Sequence, residues 1–131
     1  MTGADGAAAT GTGAVLEQWW ARVDGDAPGD PLELLADDVR FSLTFAGTTH
    51  VGGRNELAGY VRDRIAEGRR HHILMSTVVG AVEIVAGELR EHSRPIASFV
   101  GGAERDADGR IKHYLISSSA EMRFAFPGSA A

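Results

Sequence analysis

The chain has no cysteine in its 131 residues, which excludes disulfides, thiolate nucleophiles and cysteine-held zinc. It has no basic block and a formal net charge of −5, so neither nucleic acid nor an anionic membrane is expected as a partner. No apolar run approaches the length of a membrane span. The opening Met1-Thr2-Gly3-Ala4-Asp5-Gly6 lacks the basic start and apolar core of a signal peptide, and a cytoplasmic location is the expectation. Neither His-x-His nor His-x-x-x-His occurs, so no metal site is expected. Gly52-Gly53 precedes a helical pattern but lacks the following lysine or threonine of a phosphate cradle.

What remains is ordinary globular material, 44% hydrophobic and 24% charged, enough for one domain with its own core. Apart from Met1 and Asp5, residues 1–12 are Gly, Ala and Thr with little to bury, and read as a flexible tail. Residues 13–127 read as a single domain, and 128–131 as a second short tail. Val15, Leu16, Trp19, Trp20 and Val23 recur at helical spacing and predict a first helix ending near Asp24-Gly25. Asp30-Pro31-Leu32-Glu33 is a helix start, with Asp30 as cap and Pro31 at the first position, for a short second helix stopping near Ala36. Asp37-Asp38 then reads as a tight turn.

Val39, Phe41, Leu43 and Phe45 alternate with polar residues, a strand with one apolar face. A short returning strand at Thr48–Val51 follows, and then a third helix carrying Leu57, Tyr60, Val61 and Ile65 and ending near Gly68. Segments 71–79, 82–91, 96–105 and 111–124 read as strands, and Asp106-Ala107-Asp108-Gly109 as a hairpin turn. The order predicts an α+β domain, with three helices from the N-terminal half on one face of an antiparallel sheet.

The run Ala36-Asp37-Asp38-Val39-Arg40-Phe41, then Gly53-Arg54, then Asp108-Gly109-Arg110-Ile111, resembles the SnoaL-like proteins of the nuclear-transport-factor-2-like, or cystatin-like, superfamily, over roughly residues 14 to 126. The resemblance implies a curved antiparallel sheet wrapped around the three helices as a cone-shaped barrel with an apolar pocket at one end, and a homodimer formed through the outer sheet face. Its members include cyclases, isomerases, dehydratases and epoxide hydrolases as well as non-catalytic binders, so activity has to be read from individual residues.

Two of those chemistries fail here. The steroid-isomerase pattern places an aspartate base where this chain has Leu43, and a tyrosine where it has Trp19. Leu43 takes no proton. The epoxide-hydrolase pattern needs an Asp-Arg-Asp set whose last member falls near Ile116, and the middle strand offers only Glu88 and Arg90. The dehydratase-like pattern keeps more: Asp24 at the end of the first helix, His72 at the start of the strand after the third helix, and His92 near the end of the next strand. Histidine gives and takes protons near neutral pH, and a neighbouring carboxylate orients it.

The resemblance therefore implies His72 as the proton-transfer residue, Asp24 as its orienter and Tyr114 as a hydrogen-bonding wall. Trp19, Phe41, Leu43, Tyr60, His92 and Ile116 would line the pocket. The expected partner is a small apolar, cyclic, polyketide- or steroid-like molecule, handled without a cofactor. His71 and His72 point to opposite faces of a strand, and the sequence leaves open which of them faces in. The alternative is a non-catalytic ligand-binding or dimerisation module, motivated by Leu43; a filled pocket in an assembly partner is a third reading.

Overall fold

The structure is a computed structural model describing residues 14–64 and 68–127. Both expected tails, and Ile65 of the third predicted helix, lie outside the described residues. Helix α1 spans Val15–Val23 and buries all five of its periodic apolar side chains. A single 3-10 turn, Pro31–Leu34, follows. Then come β1 (Leu35–Phe45), β2 (Thr48–Gly52), α2 (Arg54–Arg64), β3 (Arg69–Val79), β4 (Val82–Glu91), β5 (Arg94–Arg105) and β6 (Ile111–Ser119).

Three expectations need correction. The second predicted helix is only the 3-10 turn, leaving two α-helices among the described residues. Asp30 does cap it, accepting from the Leu32 N–H at 2.9 Å. Four residues are too few to propagate an α-helix, and Leu35 and Ala36 are instead buried at the start of β1. Asp37-Asp38 is no turn: it sits inside β1 where the register jumps from Leu35↔Ile111 to Arg40↔His113, a bulge with both acids exposed.

The third correction concerns the sheet, which is mixed and open rather than antiparallel and closed. Its order is β2-β1-β6-β5-β4-β3. The β1–β2 hairpin leads into α2, which carries the chain to the far edge. The meander β3-β4-β5-β6 then returns, and its third reversal brings β6 in parallel to β1. The Asp106–Gly109 turn forms as expected: Asp106 Oδ1 accepts from the N–H groups of Asp108 and Arg110, and Gly109 adopts φ +83°. Strand β6 ends at Ser119, and the segment after it folds back so that the Phe124 N–H donates to Ser98 Oγ.

Four of the five ladders carry a register shift. Each such bulge bends and twists its strand, so the sheet curls toward α1. On the inner face Val39, Phe41, Leu43, Val85, Phe99, Ala103, Tyr114 and Ile116 pack with α1 and with Leu57 and Val61 of α2. Arg54 fastens α2 to the preceding turn by donating to the carbonyls of Leu32 and Leu35, both at 3.0 Å.

The start of α1 has an unusual cap. Its N-cap residue, Ala14, offers no side-chain acceptor. Glu83 of β4 fills that role, accepting from the Val15 N–H at 2.9 Å and the Leu16 N–H at 3.1 Å. Glu83 is 1% exposed, with Arg105 Nε at 3.5 Å. No helix among the described residues is long and apolar enough to cross a membrane.

Candidate functional site

A cavity of about 580 Å³ opens between α1, α2 and the inner sheet face. Trp19, Trp20 and Val23 come from α1, Leu57 and Tyr60 from α2, and Leu43, Leu89, Phe99, Tyr114 and Ile116 from the sheet. Two of its polar groups, Arg69 and His71, enter from β3. This is the size and mixture, mostly apolar with a few placed polar groups, of a small-molecule site.

His71 is the best-held of these groups. Its ring lies flat on the Trp20 indole, with centroids 4.5 Å apart and planes at 5°, and meets the Phe99 ring edge-on at 5.3 Å. Its backbone N–H donates to Asp24 Oδ2 at 2.7 Å, and its Nδ1 lies 3.3 Å from the same oxygen. Asp24 is 6% exposed and follows the last residue of α1. The carboxylate is thus fixed by the β3 backbone and set beside the ring. With Nδ1 turned to a carboxylate, the stable neutral tautomer carries its proton there, and Nε2 is the basic nitrogen. Trp20 Nε1 donates to Tyr114 Oη at 3.1 Å, which ties the indole under His71 to the phenol on β6.

Of the residues expected from the sequence, Trp19, Leu43, Tyr60, Tyr114 and Ile116 line the cavity, and Asp24 stands behind His71. His72 does not: it lies on the outer face, exposed, across the ladder from Glu88. The strand's two-residue period sends neighbours to opposite faces, and His71 is the one turned inward. Partial burial pushes the His72 pKa below 6.5, helped by the Arg90 charge and opposed by Glu88. His92 is also misplaced, exposed in the β4–β5 turn with φ +51°. Phe41 is buried in the core on the inner face and does not line the cavity.

Sequence reasoning left the choice between His71 and His72 open, placed the role on His72, and did not single out Arg69, Phe99 or Trp20 as cavity residues. The inward parity of β3 was readable from Ile73, but Leu74 beside it blurred the alternation, and the register shift between Ile73 and Met75 is the reason. At the α2 wall, Glu56 Oε1 accepts from the Gly53 N–H at 2.9 Å, and that bond holds its carboxyl below the usual range. Among the described residues no three His, Asp or Glu side chains converge as a metal set would.

No family model matches the chain, and neither does any curated protein. Solved structures do. A candidate ketosteroid isomerase from Kribbella flavida DSM 17836 superposes with a TM-score of 0.66 at 19% identity, over 92% of this chain and 85% of that one. A candidate isomerase of the SnoaL-like family from Agrobacterium tumefaciens C58 gives 0.62 at 13%, over 80% and 94%. A candidate polyketide cyclase from Sinorhizobium meliloti gives 0.57 at 21%, over 78% and 92%. At such identities the likeness is one of fold, and the fold is that of the SnoaL-like and nuclear-transport-factor-2-like proteins.

Proposed function

We propose that this chain binds an apolar, ring-bearing small molecule in the aromatic cavity and performs cofactor-free proton transfer on it: an isomerisation, cyclisation or dehydration. The observation that carries this reading is the His71–Asp24 pair on the cavity wall, held flat against Trp20. In an isomerisation, His71 Nε2 takes the proton from a carbon beside a carbonyl, leaving an enolate. The imidazolium then returns that proton to a more distant carbon of the conjugated system. Asp24 stabilises the imidazolium, as a buried carboxylate does for a histidine base. The Tyr114 phenol hydrogen-bonds the ligand's oxygen. The neighbours named as isomerases and a cyclase support this class of chemistry through their shared fold.

A cyclic β,γ-unsaturated ketone tests it, because the conjugated product absorbs in the ultraviolet. Replacing His71 by Gln is expected to lower turnover by about 100-fold or more, and His72→Gln to leave it unchanged. Equal loss in both variants, or none in either, rejects the His71 mechanism.

The second reading, a ligand binder without chemistry, is favoured by Leu43, since the inner face of β1 carries no acid, base or phenol. A probe that binds and is recovered unchanged, at the rate seen in buffer, would select it. In either case a second copy of the chain is the expected partner. Ile84, Val100 and Leu115 are exposed on the outer face around Gly102, the kind of apolar patch that marks an interface. Sedimentation of Leu115→Lys beside the wild type tests this: a lower mass for the variant alone supports the dimer.

A further inference from the structure

Trp20 and Asp24 stand one turn apart at the end of α1, and the turn between them is closed: the Asp24 N–H donates to the Trp20 carbonyl at 2.8 Å. Residues four apart share a helix face, and here both side chains address one ring. Asp24 meets His71 at Nδ1. Trp20 meets it face to face, with centroids 4.5 Å apart and planes at 5°. The indole is held in that position. Its Nε1–H is donated to Tyr114 Oη at 3.1 Å, and Phe99 meets it edge-on at 5.1 Å. Trp20 is 2% exposed, so water has little access to its side of the stack.

We propose that Trp20 is a positioning residue for the proton transfer: its face fixes the plane of His71 and stabilises the imidazolium that forms there. This inference rests on the proton-transfer reading above and adds to it a second source of stabilisation for the charged ring. The face of an indole carries negative π density. A planar cation lying on it within about 6 Å is attracted, more strongly where water is excluded. Neutral imidazole gains far less, so the stack favours protonated His71. The carboxylate acts at a ring nitrogen and the indole on the ring face, and the Trp20-x-x-x-Asp24 spacing delivers both from one helix turn. Packing alone predicts the opposite sign. A cover that only kept water off His71 would disfavour its charged form, and removing that cover would make the ring easier to protonate. Among the described residues, the charged and titratable groups around the ring are Asp24 on α1, Tyr114 on β6, Arg69 on β3 with Glu91 on β4, and Glu56 and Asp63 on the α2 wall. All are retained when only Trp20 is changed.

NMR titration of the ligand-free protein follows the pH at which His71 is half-protonated, with His72 on the outer face as control. Trp20→Phe and Trp20→Leu both lose the hydrogen bond to Tyr114 and differ in the ring face. The His71 midpoint is expected to fall in Trp20→Phe and further in Trp20→Leu, by about half a pH unit or more in the latter, while that of His72 stays still. The acid limb of ketone turnover should move to lower pH with it. Incorporating 5-fluorotryptophan at both tryptophans keeps the shape and the hydrogen bond and weakens the π face. It should shift the midpoint the same way by less, and it serves where Trp20→Leu does not fold. Trp19 packs edge-on to Tyr114 rather than on His71, so the shift belongs to Trp20. A His71 midpoint that stays or rises in Trp20→Leu or in the fluorinated protein overturns the inference and leaves the His71 mechanism intact. Turnover undiminished in His71→Gln overturns both.

Discussion

Helix α1 has a buried carboxylate at each end, and the two differ in a way that separates folding from function. At the N-terminus, Glu83 accepts two backbone N–H groups that Ala14 cannot cap. A negative charge there also suits the positive end of the helix dipole. Everything about Glu83 is accounted for by holding α1 on the sheet. At the C-terminus, Asp24 sits at the end of the dipole that disfavours an anion. Its compensation comes from β3, through the backbone N–H and ring of His71. A buried acid placed against the dipole, beside a titratable ring on a cavity wall, is where a functional group is expected. Burial alone does not distinguish the two; their partners do.

Breaking the structural end should give the largest effect. Glu83→Ala leaves two buried N–H groups without acceptors and Arg105 without its acid. The expected cost is about 3 kcal/mol in urea unfolding. Glu83→Gln keeps an acceptor and should cost about 1 kcal/mol. Breaking the other end should do the reverse. Asp24→Asn still accepts from the His71 N–H, so stability should change by less than about 1 kcal/mol. Turnover of the unsaturated ketone should still fall by about 100-fold. If Asp24→Asn unfolds the protein as readily as Glu83→Ala, the two ends are alike and the comparison fails.

A smaller effect tests the platform between them. Trp20→Phe removes the N–H donated to Tyr114 and part of the stack under His71. It should cost about 1 kcal/mol and weaken binding of the cyclic ketone. The smallest concerns His72, the histidine on the wrong face. Because the folded protein disfavours its proton, its contribution to stability is whole above pH 6.5. It is lost as pH falls through the lowered folded value. Between pH 7.5 and 5, the wild-type melting temperature should therefore drop slightly more than that of His72→Gln.

These contrasts follow what the sequence could and could not carry. Helix α1, the alternating wall of β1 and the Asp106–Gly109 turn were legible because each depends on neighbours within a few residues. The parallel β1–β6 pairing was not, since it results from the path of the whole chain. Asp37-Asp38 had the composition of a turn, and only the demand that Leu35 and Ala36 be buried turned it into a bulge. Glu83 lies between Val82 and Ile84 in β4, and the helix it caps is 67 residues away from it in one of its two bonds. Among the cavity's aromatic side chains, Trp19, Tyr60 and Tyr114 were named from the sequence, and Trp20 and Phe99 were not. The histidine that lines the cavity is one residue before the expected one, because the shift between Ile73 and Met75 hides which histidine faces in.

The most direct measurement is an NMR titration of the histidine ring nitrogens in ¹⁵N-labelled protein, with and without the conjugated cyclic ketone. The expected result is that His71 carries its proton on Nδ1, that Asp24→Asn alters this tautomer, and that its ring signals move on ligand binding while those of His72 stay still. A His71 ring indifferent to both Asp24→Asn and the ligand, or a His72 ring that responds in its place, would contradict the assignment of His71 and Asp24 as the working pair.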